Sequence, residues 1–156
     1  MEANKRYYIG HSCELIESVR LWELKIQGKY KIDLINPFKG NKFENMEELK
    51  QLKTRKKLLA YMKTLSDETN EKIVTYDLEL LRKCDGVVAL FNNPSVGTAM
   101  EIFAGAYLYR IPVYVICRNY IHHPWIAHLC WVSGGGAFTS RKKFEEYLTK
   151  LGLRRY

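Results

Sequence analysis

The stretch from Tyr76 to Ile116 constrains the fold more than any other part of the chain. It reads as a helix, a strand, a Gly-containing loop, a second helix and another strand. The first of these strands, Asp85–Phe91, is a short and nearly unbroken apolar run. Such a run suits a parallel strand covered on both faces. The loop Asn92–Thr98 follows its carboxyl end, and open α/β sheets bind their ligands in that crevice. Asn93, Ser95 and Gly97 lie in this loop. Glu101 is placed one turn into the helix that follows, near the positive end of its dipole. It is the only charged residue between Thr98 and Tyr109. A carboxylate in so apolar a helix is costly unless it is paired or working. The competing reading is a first-turn glutamate that only answers free backbone amides.

The remainder alternates in the same way. Arg6–Gly10 reads as strand one, followed by Ser12 as the N-cap of a helix running to about Gln27, with Gly28 as its stop. Leu15, Ile16, Val19, Trp22 and Ile26 share one helical face. Tyr30–Pro37 reads as strand two and Phe38–Asn45 as a loop. Met46 to about Leu65 is a charged amphipathic helix with Leu49, Leu52, Leu58, Leu59 and Met62 on its buried side. Ser66–Asn70 breaks the pattern, and a further helix covers Glu71–Cys84. Ile111–Cys117 is strand four, Asn119–Ile126 an irregular aromatic segment, and Leu129–Val132 strand five. Ser133–Gly136 reads as a flexible loop without the lysine of a phosphate loop. Thr139 or Ser140 caps a last helix to about Gly152, before a basic tail at Arg154–Tyr156. The expected fold is therefore α/β and Rossmann-like (flavodoxin-like). It has a mainly parallel sheet of about five strands with helices on both faces, in a single domain over 1–156.

Composition narrows the function classes. At 156 residues the chain has room for one core. Its formal charge of +8 favours anionic ligands. The basic residues are scattered without an aromatic-interleaved motif, so nucleic acid is the weaker reading. No CxxC pair occurs among Cys13, Cys84, Cys117 and Cys130, which points to four reduced, buried thiols and a cytoplasmic setting. The N-terminus has no leader-like apolar segment and no run approaches a membrane span. His122 and His123 are adjacent, the wrong spacing for two ligands on one helix face, so no metal and no cofactor is expected. Trp125 is open to two readings, packing or stacking on a ligand ring.

Five pieces in order then carry a resemblance: Tyr8-x-Gly10, Asp77-Leu-x-x-Leu81, Cys84-Asp-Gly-Val-Val-Ala89, Pro94-Ser-x-Gly-x-x-x-Glu101 and Ile111-Pro-Val113. With these, most of the chain resembles the nucleoside 2-deoxyribosyltransferase superfamily, and in particular its deoxynucleoside 5′-monophosphate N-glycosidase branch. Asp77 lies eighteen residues before Ser95, and Ser95 six before Glu101, intervals similar to that branch. The resemblance implies that Glu101 attacks the anomeric carbon, that Asp77 manages the proton on the base, and that Tyr8 stands by the nucleophile. Ser95 stands where the transferases carry an aspartate that contacts the sugar. In the monophosphate glycosidases a serine there contacts the 5′-phosphate, which favours nucleotide over nucleoside. Gly10, His11, Ser12, Asn93, Ser95, Gly97 and Trp125 complete the expected substrate site.

Two departures are visible. Phe103 replaces a frequent glycine, and the loop Gly10–Cys13 lacks the family's arginine-rich form, leaving His11 and Ser12 to face a phosphate. These departures leave open a non-catalytic nucleotide-binding module, and the aromatic segment Tyr120–Trp131 leaves open a glycohydrolase of NAD or a cyclic nucleotide. Hydrolysis and transfer to another base share one first half-reaction. The apolar helix after Thr98 points to a homodimer or higher homo-oligomer.

Overall fold

The runs 32–35, 86–90 and 113–116 are rich in Val, Ile and Leu, which suit the buried, pleated surface of a sheet. The computed structural model describes residues 3–39 and 54–155. The strands are β1 (Lys5–Gly10), β2 (Ile32–Ile35), β3 (Gly86–Leu90), β4 (Val113–Ile116) and β5 (Gly136–Phe138). All pairings are parallel and the order is β2-β1-β3-β4-β5. The helices are α1 (Ile16–Lys29), α2 (Arg55–Met62), α3 (Asp67–Arg82), α4 (Val96–Phe103), α5 (Pro124–Val132) and α6 (Arg141–Lys150).

Every residue of β3 and β4 is buried. Alternation along β3 divides the core in two. Val87 and Ala89 face Leu81 of α3, Ile102 of α4 and Leu129 of α5. Val88 and Leu90 face Val19, Trp22 and Ile26 of α1 and Phe144 and Leu148 of α6. The expected helices on both faces are present, and so is a parallel sheet of five strands, as expected of the fold class. No described helix is long and apolar enough to cross a membrane.

Several local expectations are corrected. Ser12 does not cap α1 with its side chain; a 3-10 turn, Cys13–Leu15, intervenes. Gly28 lies inside α1, which runs one residue beyond it. Strand two is shorter than Tyr30–Pro37, because Tyr30 makes an isolated antiparallel bridge to Arg154 and Pro37 opens a 3-10 turn. Ser66 accepts from the Thr69 amide and caps α3, so 66–70 begins that helix instead of breaking the pattern. The first part of the helix expected over 46–65, with Leu49 and Leu52, lies outside the described residues. The helix expected over Thr98–Tyr109 starts earlier, at Val96, and continues as a π-helical turn, Ala104–Leu108.

The larger error concerns Leu129–Val132, which is the end of α5 and not a strand. Pro124 at its first turn pre-sets the helical φ. A four-residue apolar run cannot distinguish strand from helix by periodicity alone. The true β5 begins within the expected flexible loop, at Gly136. Ser140, of the two candidates, caps α6. Cys84, Cys117 and Cys130 are buried and Cys13 is half-buried; all four are free thiols. Burial pushes the Cys84 and Cys130 thiols up to about 11.

Candidate functional site

In the strand order, the chain leaves β1 toward β2 on one side and leaves β3 toward β4 on the other. The loops after β1 and β3 therefore diverge and open a crevice between them. A cavity of about 500 Å³ occupies this crevice. His11, Ser12, Asp77, Asn93, Ser95, Gly97 and Glu101 all line it.

Local sequence explains each placement. Ser95 ends the loop after β3 and accepts a hydrogen bond from the Thr98 amide at 3.2 Å, capping α4. The amides of Val96 and Gly97, in the first turn, have no acceptor within the helix. Glu101 is the sixth residue of α4, in its second turn instead of its first. It therefore lies beyond the first turn, where the dipole effect is concentrated.

Tyr8 does more. Its hydroxyl donates to Glu101 Oε1 at 2.6 Å, from a side chain with no solvent exposure. Burial, the Glu101 and Asp77 charges and hydrogen bonding to both carboxylates push the Tyr8 phenol far above its usual range. Tyr8 is thus a fixed proton donor to Glu101, with Asp77 lining the same cavity as that carboxylate. Because its folded-state pKa is raised, it stabilises the protein below pH 10, and that contribution is lost as pH rises further.

Gly10 admits this arrangement. A Cβ there would stand 2.6 Å from Glu101 Oε2 and 3.4 Å from the Thr98 methyl. Only a residue without a side chain lets α4 bring the carboxylate onto the end of β1. His11 is buried; its Nδ1 donates to the Ser12 carbonyl at 2.9 Å, and its ring lies 4.8 Å from that of Phe38. Ser12 Oγ is buried without a hydrogen-bond partner among the described residues. Beyond the loops, Asn92 Oδ1 accepts from the Arg118 amide at 2.7 Å, tying the turns after β3 and β4 together.

Trp125 stands apart. With Phe103, Met100 and Tyr120 it lines a second, almost wholly apolar cavity of about 560 Å³ between α4 and α5. Phe103, which replaces a frequent glycine of the resembled family, therefore lies outside the Glu101 cavity. Sequence reasoning did not single out Phe38, Arg55 or Thr98, which line the Glu101 cavity. Thr98 had a signal, three residues after a cap serine. Arg55 had none, being one of many basic residues in a charged helix. Among the described residues no group of three or more His, Cys, Asp or Glu is gathered as a metal site.

No protein-family model matches the chain, and no curated protein does. Among solved structures it is similar to the Clostridium botulinum CMP N-glycosidase BcmB, at 20% identity, with a TM-score of 0.54. The match covers 95% of this chain and 98% of that one. At that identity the likeness is one of fold, and the chain shares the α/β architecture of that enzyme from nearly end to end.

Proposed function

We propose that the protein cleaves the N-glycosidic bond of a nucleoside 5′-monophosphate, with Glu101 as nucleophile. The observation that carries this reading is Glu101, held by the Tyr8 hydroxyl, sharing one cavity with Asp77 at the switch point of the sheet. The fold shared with a CMP N-glycosidase supports it. A carboxylate oxygen of Glu101 attacks C1′ of the sugar, and the bond from C1′ to the base nitrogen breaks. The electron pair leaves with the base, which takes a proton from Asp77. Water, or a second base, then attacks C1′, its proton passes to Asp77, which is thereby restored to its acid form, and the bond from C1′ to Glu101 breaks to release the carboxylate. Tyr8 keeps its proton throughout, so it orients Glu101 without competing for charge.

The 5′-phosphate is placed at the start of α4, where the Val96 and Gly97 amides point outward and Ser95 adds a hydroxyl. Arg55 supplies the cation that the first loop lacks. The test is incubation with a panel of ribo- and deoxyribonucleoside monophosphates, followed by chromatography for free base. Calorimetric binding without any base release favours a nucleotide-binding module instead.

Ser95 allows a sharper check. Asp caps helices as well as Ser, so Ser95→Asp is expected to leave the melting temperature within about 2 °C of wild type. Its carboxylate repels a phosphate, so KM for monophosphates rises roughly tenfold or more while KM for free nucleosides does not rise. Equal effects on both substrates would place the phosphate elsewhere.

Self-association belongs to the same reading. From Asn119 to Ser140 the chain has no Asp, Glu, Lys or Arg, despite its high charge elsewhere. Val96, Met100, Leu108, Trp125 and Trp131 on α4, the π turn and α5 are exposed. An apolar face of this kind is a docking surface, and we assign it to a second copy. Light scattering is expected to give the mass of two chains, and Trp131→Glu the mass of one. A monomeric wild type at micromolar concentration would refute the assignment.

A further inference from the structure

We propose that Glu23 is a positioning residue for the nucleotide cavity, acting through the turn that carries Phe38. The proposal rests on reading that cavity as a nucleotide site. Glu23 is on α1 and does not line the cavity, and its side chain has no solvent exposure. A buried carboxylate is unfavourable unless its charge is answered and its lone pairs are filled. Here both conditions are met. Arg20 Nη1 lies 3.0 Å from Oε1, and the Lys39 ammonium pairs with the same oxygen. Asn36 Nδ2 donates to Oε2 at 3.2 Å.

The partners show what the arrangement holds. Asn36 and Lys39 bracket the 3-10 turn Pro37–Lys39 that follows β2. Asn36 Oδ1 accepts from the Phe38 amide at 3.0 Å, and the Asn36 carbonyl accepts from the Lys39 amide at 3.1 Å. Glu23 thus grips both ends of the turn, one by a buried hydrogen bond and one by an ion pair. The residue between them, Phe38, faces the cavity and packs its ring on His11. An apolar residue in place of Glu23 would fill the core equally well. It would not specify which way the turn points. The carboxylate fixes the turn, the turn fixes Phe38, and Phe38 lines the cavity that Ser95 and Glu101 also line.

A wall contact of this kind is made equally in the ground state and the transition state, so its loss raises KM and spares kcat. Glu23→Gln keeps the shape and removes the charge; Glu23→Ala removes both. Each is compared with Phe38→Leu, and with Val113→Ala in β4 as a destabilised control. Glu23→Gln is expected to raise KM roughly five-fold or more, with kcat within about twofold. Val113→Ala is expected to lower the melting temperature and leave KM unchanged. A second readout does not depend on turnover. The His11 Hε1 proton resonance, assigned by its loss in His11→Gln, moves downfield in both Glu23 variants, in the direction seen in Phe38→Leu. If His11 and KM stay at wild-type values in both Glu23 variants, the proposal is overturned. A His11 shift with unchanged KM also overturns the positioning role. If the wild type shows no turnover, the glycosidase reading fails by itself, and CMP affinity by calorimetry replaces KM in the same comparison.

Discussion

Glu101→Gln is expected to reduce release of free base from a nucleoside monophosphate by about 10³-fold or more, a barrier increase of roughly 4 kcal/mol. The amide keeps the size of the side chain and still accepts from the Tyr8 hydroxyl, now 2.6 Å from Oε1. It cannot balance the positive charge that grows on the sugar as the base departs, and it is too weak a nucleophile to form the glycosyl ester. Stability is expected to change by no more than about 1 kcal/mol, because the hydrogen bond remains and a half-buried charge is removed. Asp77→Asn provides the contrast. It slows release of a normal base by roughly 10²–10⁴-fold, and an activated leaving group that needs no proton restores much of the rate. Chromatography for free base, beside a thermal melt, decides the matter. Wild-type turnover by Glu101→Gln would remove the covalent mechanism.

The largest effect on stability is expected from Gly135→Ala, far from the cavity. A Cβ at this position would collide with the backbone of Val113 in β4 at its carbonyl oxygen, carbonyl carbon and nitrogen. A side chain could swing away from such a clash, but a sheet backbone cannot do so without losing its ladder. Around it, the Gly134 amide donates to Trp131 at 3.1 Å and the Gly135 amide to Cys130 at 2.9 Å, closing the end of α5. Ser133 Oγ accepts from the Val113 amide at 3.0 Å. The cost is expected to be about 4 kcal/mol or more, a large part of a typical domain's 5–15 kcal/mol. It appears as a fall in melting temperature of at least about 8 °C, or as insoluble protein. Gly136→Ala is the internal control, since its Cβ would meet only the Phe138 ring at 3.5 Å. A Gly135→Ala melt within about 2 °C of wild type would show that the corner is not packed as described.

These two residues mark what sequence reasoning could single out and what it could not. Glu101 was legible because a lone charge in an apolar helix after a buried strand violates an ordinary burial rule. Gly135 was not, because three glycines in a row look the same whether they are loose or pressed against a neighbouring strand. The distinction is a distance to Val113, more than twenty residues away in sequence. Likewise α5 hid behind a short apolar run that periodicity cannot assign, and Glu23 looked like any surface glutamate of an amphipathic helix.

By itself, the order of residues determined the alternation of strands and helices, the parallel sheet and the loop that carries Ser95. Those depend on hydrophobic period, turn chemistry and caps, which act within a few positions. Only the tertiary structure decided that Tyr8 donates to Glu101, that Gly10 makes room for the carboxylate, and that Trp125 and Phe103 belong to a different cavity. Such facts arise from chain segments brought together by burial of the sheet's two faces, and no local pattern encodes them.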